Sequence, residues 1–126
     1  MNRVVVSPDE SRLLLYRSPY TEPSKDIIIT SNYGPKKIQH HTLASPPSII
    51  SFFYDTKGDT WFIYGNIDGD LRAVELFDQG AVDIKLATLC SAMVIDAVVS
   101  HDGRIYAALC DEDTGVYTGD PGIGSS

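Results

Sequence analysis

The sequence predicts an all-β protein of about eleven short antiparallel strands and no helix. Three observations lead there. Apolar residues fall in short runs rich in Val, Ile, Tyr and Phe, the residue types that suit a pleated surface. Gly, Pro, Asn, Asp and Ser separate the runs, and ten glycines and seven prolines spread over 126 residues leave little room for long helices. One strand-turn-strand pattern also recurs three times along the chain. With 43% apolar residues the chain has enough hydrophobic material for a core, and its length suits a single domain of roughly 100–150 residues.

The recurring pattern is clearest at Val98-Val99-Ser100-His101-Asp102-Gly103-Arg104-Ile105-Tyr106. Earlier copies run from Val4 through Ser7-Pro8-Asp9 to Tyr16, and from Phe52 through Asp55-Thr56-Lys57-Gly58 to Tyr64. Ser7, Asp55 and Ser100 hold equivalent positions, 48 and then 45 residues apart. This spacing divides a single all-β domain, 1–118, into repeats 1–47, 48–92 and 93–118, followed by a Gly/Ser-rich tail, 119–126, of flexible composition.

In the first repeat, Val4-Val5-Val6 makes a strand over 3–6, stopped by Ser7-Pro8-Asp9. Leu13-Leu14-Leu15-Tyr16 makes the next, over 12–17. The loop 18–25 carries Pro19 and Pro23, and Ile27-Ile28-Ile29 opens a third strand over 26–30. A fourth spans 37–43, and Pro46-Pro47 closes the repeat. The second repeat places strands at 49–54, 60–65, 70–77 and 82–89, with Asp68-Gly69 as the tight turn between the second and third. The third places them at 94–99, 104–110 and 115–118. Residues 80–99 are the one stretch open to a helical reading, and their β-branched content favours strand.

A period of about 40–50 residues with four strands per unit marks a β-propeller blade. Val4-Val5-Val6-Ser7-Pro8-Asp9 and Val98-Val99-Ser100-His101-Asp102-Gly103 resemble the strand-turn-strand segment of WD40-like and related propeller repeats. Neither a Trp-Asp nor a Gly-His dipeptide occurs, so the resemblance is to the generic blade. It implies that each sheet packs on its neighbours through both faces, which fits strands apolar on both sides such as Trp61-Phe62-Ile63-Tyr64. Propellers close with about four to eight blades. Here there are two full repeats and a third without its last strand, which would leave an apolar face bare at each end. Three resolutions are open: two chains closing a six-bladed ring, a different partner capping the faces, or a β-sandwich or irregular barrel in which the repeat is only an echo.

Charge and motifs narrow the function classes. A net charge of −7 disfavours binding to nucleic-acid phosphates, and Lys36-Lys37 with His40-His41 is the only basic cluster. No apolar run approaches the roughly 18–20 residues of a membrane span, so no membrane partner is expected. The opening residues turn polar at Ser7, too soon for a signal peptide, so the expected location is cytoplasmic or virion-associated. Cys90 and Cys110 form no zinc pattern and are expected to be reduced, buried thiols, a disulfide between them having no spacing signature. There is no Gly-x-Ser-x-Gly elbow, Walker loop or dinucleotide fingerprint, and no enzyme and no cofactor are expected.

Two polar clusters and one loop are candidate sites. Asn66, Asp68 and Asp70 place oxygens at alternate positions, as a calcium loop needs, and Asp111-Glu112-Asp113 is a second acidic turn. Polar hairpin tips between the second and third strands are the favoured reading of both, and no EF-hand glutamate follows. His40 and His41 are adjacent on a strand, point to opposite faces and do not share a metal; His101 lies in a turn. Trp61, Tyr64, Arg72 and Glu75 faintly resemble the binding set of fungal fucose-specific propeller lectins, where Arg and Glu hold sugar hydroxyls and a ring stacks on the apolar face. Against this, the aromatics read as core and the charged pair as a solvated face. Tyr20 is a candidate contact residue on the proline-stiffened loop.

The function expected is therefore a non-enzymatic structural or protein-interaction module, completed by self-association or by a protein partner in a larger assembly such as a virion or phage tail. The alternative is a carbohydrate-binding propeller lectin closed by oligomerisation.

Overall fold

A computed structural model describes residues 3–31, 37–77, 80–111 and 115–122. The described chain is all-β, with eleven strands in three antiparallel sheets. The first sheet holds β1 (Arg3–Val6), β2 (Arg12–Tyr16), β3 (Asp26–Ser31) and β4 (Lys37–Thr42) in sequence order. The second holds β5 (Pro47–Tyr54), β6 (Thr60–Asn66), β7 (Asp70–Phe77) and β8 (Gly80–Thr88). The third has β9 (Val94–Val99), β10 (Tyr106–Cys110) and β11 (Val116–Gly119). Each is a simple meander and none closes into a barrel.

The turns that open each sheet are built alike. Glu10, Gly58 and Gly103 donate their backbone N–H to the carbonyls of Ser7, Asp55 and Ser100. All three residues have positive φ, at 62°, 83° and 72°. The leading side chain then caps the turn from within. Ser7 Oγ accepts Arg12 N, Asp55 Oδ1 accepts Lys57 N and Asp59 N, and Ser100 Oγ accepts Arg104 N and Ile105 N. Ser and Asp suit this position because a short polar side chain reaches its own backbone a few residues on. Asn66 builds the same device between β6 and β7, with Oδ1 accepting Asp68 N and Asp70 N. This capping explains why β10 starts at Tyr106 rather than at 104: Arg104 and Ile105 spend their N–H groups on Ser100.

The second sheet lies between the other two. One face, with Ile50, Phe52, Phe62, Tyr64, Val74 and Leu76, meets Leu14, Tyr16, Ile27 and Ile29 of the first sheet. The opposite face, with Phe53, Trp61, Ile63, Leu71 and Ala73, meets Val94, Ala97, Val99, Tyr106 and Ala108 of the third. Full burial of one such large side chain is worth about 1.5–3 kcal/mol, so these two layers dominate the stability. Close approach is enforced at Gly65, where any Cβ would collide with the Val94 side chain, and at Gly103, which lies against the Phe53 ring. Tyr54 N donating to His101 O and Ser48 Oγ donating to Val94 O pin β5 to the third sheet.

The expectation of free thiols is corrected. Cys90 and Cys110 form a disulfide with Cα atoms 6.7 Å apart. Cys90 lies in the link leaving β8 and Cys110 ends β10. The bond therefore ties the exit of the second sheet to the middle strand of the third. Asp111 N donating to Met93 O holds the same two segments together. This pairing is created by the return of the meander and has no counterpart in local spacing.

Candidate functional site

The turn equivalence assigns a direction to every sheet face. Val6 pairs with Leu13, Tyr54 with Thr60, and Val99 with Tyr106, so these three pairs correspond. One residue further on, Leu14 and Trp61 face the following sheet, and Ala107 is their counterpart. Each sheet thus has a leading face toward its successor and a trailing face toward its predecessor. Among the described residues, no sheet packs on the trailing face of the first sheet or on the leading face of the third.

Both open faces are mainly apolar, with His40 on the first and Asp96 on the second as charged or polar exceptions. The trailing face of the first sheet carries Val4, Val6, Leu13, Leu15, Ile28 and Ile38, with Val4 59% and Ile38 66% exposed. The leading face of the third carries Val98, Ala107, Leu109 and Val116, with Val98 57% and Val116 63% exposed. A shallow depression of about 200 Å³ lies among Asp96, Val98, Ala107, Ala108, Leu109 and Val116. A second, of about 350 Å³, adjoins it near Ile105 and Thr118. Soluble monomers rarely expose contiguous apolar patches of this kind.

The polar residues singled out from the sequence do not gather into one site. Trp61 is paired with Glu75, and Tyr64 with Arg72, in neighbouring positions of β6 and β7. Trp61 faces the third sheet and Tyr64 the first, so the four lie on opposite sides of the second sheet. Tyr64 and Arg72 are both bound to Asp83, at 2.5 Å and 2.7 Å. Burial, and then Asp83, pushes the Tyr64 hydroxyl pKa up. Trp61 Nε1 donates to Asp55 Oδ2 at 3.0 Å. Tyr20 is exposed, with the Arg3 guanidinium 5.8 Å above its ring.

The calcium candidates are similarly committed. Asn66 is buried, its Oδ1 holds two backbone amides and its Nδ2 donates to Ser45 Oγ. Asp70 accepts from Thr88 and pairs with Lys85 at 3.5 Å, while Asp68 is exposed. Glu112 and Asp113 of the second acidic turn lie outside the described residues, as does Lys36. His40 is exposed and His41 half-buried on β4, as their alternation requires.

Three groups escaped the sequence reading. Asp83, on β8, is the hub for Tyr64, Arg72 and the backbone of Ala44. Asp9 accepts from Ser7 Oγ, Ser11 Oγ and Ser11 N. Burial opposes its charge, but hydrogen bonds with Ser11, Tyr54 and Ser7 prevail and hold it well below the usual carboxylate range. Asp55, Asp59 and Glu75 bring carboxylate oxygens within 4.8 Å of one another. Asp55 already spends both oxygens on the turn and on Trp61. No signal in the sequence marks Asp83, since its partners are 11 and 19 residues away.

No protein-family model matches the sequence, and no curated protein matches it. No helix among the described residues is long and apolar enough to cross a membrane.

Proposed function

We propose that the chain is a non-enzymatic interaction module, built of propeller-blade-like sheets, whose two open faces are completed by protein. The observation that carries this reading is the exposed apolar surface at both ends of the three-sheet stack, around Val4 and Ile38 at one end and Val98 and Val116 at the other. Inside the stack, the apolar faces are buried against one another. Leaving the terminal ones in water forfeits about 25 cal/mol per Å² of apolar area. The disulfide supports an oxidising setting, so the exterior of a larger particle suits the module better than the cytoplasm.

Sedimentation combined with binding of an apolar-surface dye tests this reading. The expected result is either an assembly larger than the monomer or a monomer that binds the dye. A soluble monomer that leaves the dye dark would overturn it.

A further inference from the structure

We infer that the occupant of each open face is a second copy of this chain, seated head to tail, with the leading face of one third sheet against the trailing face of the other copy's first sheet. The inference rests on the interaction-module reading and names its partner.

The direction of the faces carries the argument. Within the chain, the first sheet meets the second, and the second meets the third, by the same relationship: leading face on trailing face. Among the described residues this leaves one uncovered face of each kind. Neither internal contact pairs like with like, so the same packing carried between copies seats a leading face on a trailing face. One copy supplies the successor that the third sheet lacks, and also the predecessor that the first sheet lacks. Two such contacts related by a two-fold axis close a ring of six sheets, within the range of about four to eight over which such rings close.

Size complementarity points the same way. The trailing face of the first sheet is bulky, with Leu13, Leu15 and Ile28 across its middle. The leading face of the third is lower, with Ala107 between Val98 and Thr118, and it holds the two apolar depressions. The contact order also agrees. β5 touches both β1 and β9, so the first strand of each sheet lines one side of the stack. That places Val98 of one copy toward Val4 of the next.

The test uses Val4→Glu and Val98→Glu, two substitutions at exposed positions, with circular dichroism confirming that each variant is folded. Sedimentation of the wild type should give at least twice the chain mass. Each variant alone should be monomeric, because every head-to-tail contact needs both faces. An equimolar mixture should recover a dimer, formed by the intact leading face of Val4→Glu and the intact trailing face of Val98→Glu. A variant that dimerises alone would overturn the head-to-tail geometry, and a mixture that stays monomeric would do the same. A wild-type monomer that binds the apolar dye would overturn the second copy as occupant while leaving the interaction-module reading standing. A wild-type monomer without dye binding would end both.

Discussion

Tyr64 donates its hydroxyl proton to Asp83 Oδ2 at 2.5 Å, across the width of β7, which separates their two strands. Asp83 also accepts Arg72 Nε at 2.7 Å and Ala44 N at 3.0 Å. One carboxylate therefore satisfies a buried phenol, a half-buried guanidinium and the backbone that leads from the first sheet into the second. Removing it leaves all three donors short of a partner. Asp83→Ala should cost about 2–3 kcal/mol and Tyr64→Phe about 1 kcal/mol. Urea unfolding measures both, and an Asp83→Ala variant as stable as the wild type would mean the network contributes nothing.

The three sheet-opening turns make opposite predictions for two substitutions. Glu10 sits at φ 62°, where glycine in the other two turns bears no steric penalty. Glu10→Gly should raise stability by about 0.5–1 kcal/mol, the relief of left-handed strain less the added freedom of the unfolded chain. Gly103→Ala should lower it by about 1–2 kcal/mol or more, because the residue has φ 72° and its new methyl group would enter the Phe53 ring. Thermal midpoints that move in the same direction would refute the shared turn geometry.

Two side chains give pH dependences of opposite sign. Glu75 has its pKa raised, by burial first and then by Asp59 and Asp55. A carboxyl raised in the folded state weakens folding at neutral pH, and this penalty fades as the pH falls through the folded and then the unfolded pKa. Glu75→Gln should therefore stabilise the protein at pH 7 and lose its advantage near pH 4. His41 has its pKa lowered, by burial first and then by His40, and its buried Nε2 has no hydrogen-bond partner among the described residues. Its neutral form is the folded one, so stability is fully present above about 6.5 and declines as the pH falls below that value. His41→Leu should flatten the stability profile between pH 7 and 5, read from urea midpoints at several pH values.

Reduction of the Cys90–Cys110 disulfide should destabilise the fold. The bridged residues are 20 apart, and the chain-entropy model assigns about 3 kcal/mol to a loop of that size. Unfolding with and without reductant should differ by that order. A Cys90→Ser/Cys110→Ser variant should match the reduced protein and ignore the reductant. Equal stability in both conditions would show that the bond only decorates a junction already fixed by packing.

Strand content was legible in the sequence to within two residues at most boundaries, because it depends on local quantities. Trp61-Phe62-Ile63-Tyr64 buries both faces and reads as an unbroken apolar run rather than as alternation, and Leu13-Leu14-Leu15-Tyr16 reads the same way although only Leu14 and Tyr16 enter the core. Ser7, Asp55 and Ser100 could be matched because each caps its own turn through atoms a few residues away. Strand alternation already puts Trp61 and Tyr64, three positions apart on one strand, on opposite faces. Which neighbouring sheet each face meets was not legible, because that depends on how the sheets stack.

The sequence by itself determined the eleven strands, their order and the turns between them, since hydrophobic runs and short-range hydrogen bonds act within a few residues. Only the tertiary structure decided the Cys90–Cys110 bond, the Asp83 hub and the direction of each sheet face. Those depend on which sheets stack, a matter of long-range contact that local patterning does not encode. The stack also fixes which apolar surfaces stay bare: among the described residues, no sheet covers Val4 and Ile38 on one side or Val98 and Val116 on the other.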